Sequence, residues 1–375
     1  MNPEATTLNP LIRPLMANGA ETMIRAGRST LAVNTDLKSE YEAAKSGIGI
    51  HDRSYRGLLE ITGADRISWL NNLLTQQVKT LEVGQGCYSF AVNIKGRILF
   101  DLQVLVGASF IRLDIDRLWV KAAVTHFERY IITEDVQVAD RTDDYERLSL
   151  CGPRARDFLA GMGAAHVGNA AKLQHGVMNA GSAEVIFFRD DFCGPWSIQW
   201  LVRTGDGEAV AQWLASRPEL ALVGLGAVDA LRIEAGIPWP MSEINDEALP
   251  AETGRFAEAV STNKGCYLGQ EIVERMRSRK SVARLLVSLE FEGPGEAPTT
   301  TSATSRQPHA DLPQPGDDLC LDGQAVGRVT SAGVSPQTGR AIGLGYVRAG
   351  VMDDADGAVF CRARDGEWRC RMKRV

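Results

Sequence analysis

One short stretch sets a thiol, a cation and a carboxylate among turn-forming glycines: Lys264-Gly265-Cys266-Tyr267-Leu268-Gly269-Gln270-Glu271. It runs into Ile272-Val273-Glu274-Arg275-Met276, and Leu268, Ile272 and Met276 recur at spacings of four. That is one face of a helix, so Cys266 is predicted in a turn just ahead of a helix start. N–H groups at such a start point outward and carry partial positive charge. With Lys264 two residues away, the setting favours thiolate over thiol and suits an anionic ligand. A thiolate there has three uses: nucleophile, transient sulfur or cluster contact, or redox sensor. The plain alternative is a surface turn with a half-buried cysteine, because most free cysteines are packing residues. No histidine lies nearby in sequence to act as its base.

The other cysteines are Cys87, Cys151, Cys193, Cys320, Cys361 and Cys370, with no CxxC pair among the seven. That spacing argues against a metal site and fits a reducing, cytoplasmic setting. The five histidines are isolated; His51 beside Asp52 reads as a turn or helix end. The formal charge of −6 exerts no global pull on nucleic acid or anionic membrane. No apolar run approaches the ~20 residues of a membrane span. The proline-punctuated start does not resemble a secretory signal. A hydrophobic fraction of 44% over 375 residues supports two or three domains with a substantial core.

Patterning predicts elements on both sides of the motif. Residues 1–35 are polar and are expected to be only partly ordered, with Leu15 and Met16 available to dock. Strands are predicted at 57–63, 86–92, 97–106 and 110–115, with a Lys95-Gly96 hairpin turn. Helices are predicted at 64–74 and 120–130. A second β–α start follows at Leu148-Ser149-Leu150-Cys151-Gly152-Pro153. Strands at 183–188 and 197–202 and helices at 208–215 and 226–235 come next. The stretch at 292–316 is rich in proline, threonine and serine and reads as a long loop. Glycine-spaced short strands after it, together with 283–291, read as a small β-barrel. The domain reading is an extension at 1–35, two α+β lobes at about 36–145 and 146–281, and a barrel at 282–375.

KGCYLGQE resembles the signature of YgfZ-type folate-binding proteins, relatives of the glycine-cleavage T-protein (aminomethyltransferase) that support iron–sulfur proteins. Arg232-Ile233-Glu234-Ala235-Gly236 is similar to the family's RxEAG segment, and Leu249-Pro250-Ala251-Glu252 to its LPxE element. The resemblance implies an α+β fold of folate-binding lobes around a central channel, closed by a C-terminal barrel. It implies tetrahydrofolate or a derivative as cofactor, and iron–sulfur client proteins as partners, including enzymes that modify tRNA. It implies no direct contact with nucleic acid or membrane. KGCYLGQE would line the channel with Cys266 as its reactive group. Gly265 and Gly269 would permit the turn, Lys264 would supply charge, and Tyr267, Gln270 and Glu271 would contact the turn or the ligand.

Folate needs an apolar slot for its pterin and cations for its glutamate tail. Trp196, Trp200 and Trp239 are possible walls, and Lys264, Arg232 and the basic run from Arg275 to Arg284 possible cations. The aminomethyltransferases carry a GGxxDD element, which here reads Gly96-Arg97-Ile98-Leu99-Phe100-Asp101. Phe100 stands in place of the first acid. If that acid is essential, aminomethyl transfer fails; if Asp101 is, transfer survives. Where the family's enzymes place a pterin-binding glutamate, this chain has Ser197 and Gln199. Gln199 can pair with a pterin edge but brings no charge. The competing function is therefore a folate-dependent aminomethyltransferase acting through Asp101.

Overall fold

The computed structural model describes residues 8–194, 196–279, 282–293, 312–352, 358–364 and 366–375. Among the described residues, three large β-assemblies and a two-stranded hairpin carry the chain. The first is a five-stranded antiparallel sheet in the order Gly86–Val92, Ile98–Val106, Ile111–Asp116, Arg56–Thr62, Gln137–Asp140. Successive side chains of a strand point to opposite faces, and here both faces of the central strands are largely buried. Phe100, Leu102 and Val104 enter the core beneath helices Arg66–Leu73 and Val120–Glu128, with Trp69, Leu70, Ala123 and Phe127. Asp101 and Gln103 therefore face the opposite side.

The second assembly is a six-stranded sheet: His175–Ala180, Ala183–Asp190, Ser197–Arg203, Tyr145–Cys151, Gly49–Asp52, Ala221–Val223. Gly49–Asp52 comes from the N-terminal part of the chain, so the two lobes are threaded through each other. A parallel pairing joins it to Ala221–Val223. His51, expected at a turn or helix end, lies instead inside this strand and is fully buried. Its Nε2 meets the Tyr55 hydroxyl at 2.9 Å, and burial pushes its pKa down to about 3. The local dipeptide gave no sign of this, because tertiary burial decided it.

Residues 8–33 are better ordered than their composition suggests. Glu21–Arg25 and Arg28–Val33 form a hairpin, and Leu11, Ile12 and Leu31 are fully buried against the second sheet. Leu15 and Met16 pack on the same cluster.

The third assembly is a closed six-stranded barrel spanning Arg284–Glu292 to Gly366–Arg374. Most of the proline-rich loop at 292–316 lies outside the described residues. Arg232, at the end of helix Leu225–Glu234, locks the barrel to the lobes. It reaches Glu243 at 2.9 Å, Asp229 at 2.7 Å and the barrel's Ser331 at 2.6 Å. Glu243 also accepts from Thr330 and Ser331. Among the described residues, no helix is long and apolar enough to cross a membrane, and no cluster could hold a metal ion.

Candidate functional site

The outward face of the first sheet supplies Arg56, Tyr88, Asp101 and Gln103 to a small cavity between the lobes. Phe192 and Lys172 close it from the second lobe; Ile237, Pro238, Arg255 and Glu258 come from the connector after helix Leu225–Glu234. The enclosed space is about 20 Å3, room for roughly one water.

Asp101 is the acid that the first sheet brings to this cavity. Tyr88 donates to its Oδ2 at 2.7 Å, while Oδ1 is buried without a partner. The Gln103 Oε1 is likewise unpartnered. Burial raises the Asp101 carboxyl above its ordinary range, with Arg56 and the Tyr88 hydrogen bond opposing. A buried carboxyl whose pKa is shifted upward and which lines a cavity is a candidate to give or take a proton. Four charges close the mouth. Lys172 pairs with Asp191 at 2.7 Å and with Glu258; Arg255 pairs with Asp191 at 3.1 Å and Glu258 at 2.7 Å.

Behind the cavity lies a buried ionic core. Asp114 binds Arg56 at 2.6 Å and also Arg147, with Arg53 3.6 Å away. Burial alone would raise the Asp114 carboxyl, but these three arginines outweigh it and hold it low. Arg53 continues to Asp190 at 3.2 Å and lies 4.1 Å over the Phe192 ring. Phe192 stacks on Trp239 with ring centres 4.8 Å apart. Each buried cation in this core thus has a carboxylate or an aromatic face beside it.

The KGCYLGQE residues are placed elsewhere; none of them lines this cavity. Cys266 is exposed, in the loop before helix Gln270–Arg279, as the spacing predicts. Lys264 is turned inward, its Nζ donating to the carbonyls of Asn71, Leu74 and Gln76 at 2.6, 2.6 and 2.8 Å. It thus clamps the C-terminal end of helix Arg66–Leu73, and its charge is committed to backbone. Gly269 has φ +77°, and a Cβ there would overlap the Asn93 carbonyl; Gly265 makes no such demand, with open space around it. Tyr267 is buried beside Val92, Ile98 and Val273. Gln270 opens the helix, its N–H donating to the Tyr267 carbonyl at 3.2 Å. Glu271 is exposed and pairs with Arg275.

Four other predicted residues sit in structural positions. Arg232 is the barrel clamp, lying 4.8 Å over the Trp239 ring. Trp196 and Trp200 pack in the core of the second lobe. Gln199 is buried, donating to Asp190 at 2.6 Å and accepting from Ser149. Of the predicted set, Asp101 is the member that lines the cavity, and Trp239 supports it through Phe192. Sequence reasoning missed Arg56, Tyr88, Gln103, Lys172, Asp191, Arg255 and Glu258. A signal existed for Gln103, a polar residue two places after Asp101 in an otherwise apolar strand. Tyr88 lies directly across from Gln103 in the register.

Two family models match: the GCVT N-terminal domain over residues 22–264 and the glycine cleavage T-protein C-terminal barrel domain over residues 303–372. The chain belongs to the glycine cleavage T-protein family. Its curated relatives include an aminomethyltransferase of Rubrobacter xylanophilus, 28% identical over 339 residues, covering 90% of this chain and 86% of the relative. An aminomethyltransferase of Staphylococcus carnosus is 24% identical over 348 residues, covering 90% and 89%. The fold matches the crystal structure of the glycine cleavage system aminomethyltransferase T from Bartonella henselae. That TM-score is 0.82 at 22% identity, covering 97% and 96% of the two chains. The T-protein fold of lobes and closed barrel expected from sequence is thus the one observed.

Proposed function

We propose that this T-protein family member binds tetrahydrofolate or a derivative at the Asp101 cavity and carries out folate-dependent aminomethyl transfer. The observation that carries the reading is the orientation of one dipeptide. Phe100, which replaces an acid of the family's motif, packs in the core, while Asp101 faces the cavity. The substitution therefore removes no charge from the cavity.

The wall chemistry fits a folate. The unpartnered Asp101 Oδ1 and Gln103 Oε1 are acceptors for the N–H-rich pterin edge. Phe192, Ile237 and Pro238 are the apolar walls. Lys172 and Arg255 would hold anionic groups in exchange for Asp191 and Glu258. The mouth must open for entry, because the enclosed space is only about 20 Å3. When bound, tetrahydrofolate supplies nitrogen atoms that accept a one-carbon unit. Asp101 holds or releases the proton at its Oδ1, Tyr88 fixes the carboxyl plane through Oδ2, and Arg56 steadies the charged form.

Purified protein with tetrahydrofolate and an aminomethyl donor should form methylene-tetrahydrofolate. Asp101→Asn should abolish turnover and Cys266→Ala should retain it. Tight folate binding without turnover would overturn the enzyme reading.

That outcome would favour a second reading, supported by KGCYLGQE itself: a tetrahydrofolate-binding protein that assists iron–sulfur protein maturation or repair, and through it tRNA modification. Cys266 is exposed, outside the folate cavity, where a client protein can reach it. In cells lacking the protein, Cys266→Ala should then fail to restore iron–sulfur enzyme activity while Asp101→Asn restores it.

A further inference from the structure

A larger cavity, about 330 Å3, opens beside the N-terminal hairpin. Arg28, Arg56, Arg117 and Arg147 line it, against two acids, Asp143 and Glu146. Arg56 also lines the Asp101 cavity, so one guanidinium separates the two spaces. Asp143 already pairs with Arg117 at 2.7 Å. Burial raises the Glu146 carboxyl, with Arg28 opposing.

The arginines are under-satisfied. Arg147 is 4% exposed, yet its Nε and Nη2 have no hydrogen-bond partner. The buried Nε of Arg28 has none either. Arg147 shares Asp114 with Arg56, and Arg53 divides itself between Asp114 and Asp190. Unpaired buried donors of this kind are costly. Those buried donors stay inside the wall; the case for a ligand is that four guanidinium groups line the cavity against two carboxylates, and a guanidinium fork matches carboxylate and phosphate geometry.

We propose that this cavity binds a small, multiply charged oxyanion, phosphate or a dicarboxylate, at a site distinct from the Asp101 cavity. The proposal stands whether or not the chain transfers aminomethyl groups.

Isothermal titration of the full chain with inorganic phosphate and, separately, with succinate tests it and tells the two anions apart. At least one should bind saturably with a stoichiometry of about one. Arg117→Gln and Arg28→Gln, at the rim, should each weaken binding about tenfold or more, the loss expected for a charged hydrogen bond. Unchanged melting curves would show both variants folded. Lys172→Met, in the other cavity, should leave the anion isotherm unchanged. Absence of saturable binding by both anions overturns the proposal. So does wild-type affinity in both rim variants, or loss of binding in Lys172→Met.

Discussion

Phe100 and Asp101 are neighbours on strand Ile98–Val106 and point to opposite sides of the sheet: the ring into the core, the carboxyl into the cavity between the lobes. A strand alternates with period two, so the faces of adjacent residues are fixed relative to each other. The pleat thus decides which of the two positions can meet a ligand.

Asp101 should cost stability at neutral pH. Its folded pKa is raised above the ordinary 3.8, chiefly by burial. Its contribution is then fully present below 3.8 and lost as pH rises through the folded value. Asp101→Asn is always neutral. Its melting temperature should exceed that of the wild type at pH 7, and the gap should close toward pH 3.8. An Asp101→Asn protein less stable than wild type at pH 7 would refute the buried, raised carboxyl.

Thiol titration checks the placement of Cys266. It is the exposed cysteine; Cys87 is partly buried and the other five are buried. A disulfide reagent should modify one thiol quickly in the native protein and the rest only on unfolding. Cys266→Ala should remove the fast phase. A fast phase surviving that substitution contradicts the loop geometry.

Breaking the barrel clamp should be expensive. Arg232→Met strands the buried Glu243 carboxylate, for a loss of about 3–5 kcal/mol. Pairing it with Glu243→Met should recover part of that loss, because the charge then left without a partner is that of the more exposed Asp229 and not a buried one. Denaturant unfolding of both variants measures the coupling.

Gly269→Ala should destabilise by about 1 kcal/mol or more. The residue has positive φ, and its missing side chain makes room for the Asn93 carbonyl. Gly265→Ala, with open space around it, should be near neutral. Equal losses in urea melts would show that the loop is held differently.

Lys264→Met removes three backbone contacts from the end of helix Arg66–Leu73. A loss of about 1–3 kcal/mol is expected, read as a lower urea midpoint. Folate affinity should barely change, since Lys264 lies outside the Asp101 cavity. A large drop in affinity at unchanged stability would return Lys264 to the ligand.

Much was legible in the chain alone. Short apolar runs punctuated by glycines and turns located the strands of the first sheet and the barrel, and the fourfold spacing of Leu268, Ile272 and Met276 located the helix after Cys266. Those are local properties, written in short runs and in a period of about four residues. The candidate site was not local. Tyr88, Asp101, Lys172 and Arg255 meet only because the two lobes interlock, and no spacing along the chain encodes that meeting. The direction of a charged side chain was equally hidden. Lys264 looked like a cation offered to a ligand; the carbonyls of Asn71, Leu74 and Gln76, at and just beyond a helix end, claimed it instead. Sequence determined the elements and the residue types, because backbone preference and side-chain period act over a few residues. Tertiary structure decided which charges were consumed by the fold and which were left facing a cavity, because burial and pairing are set by neighbours far away in the chain.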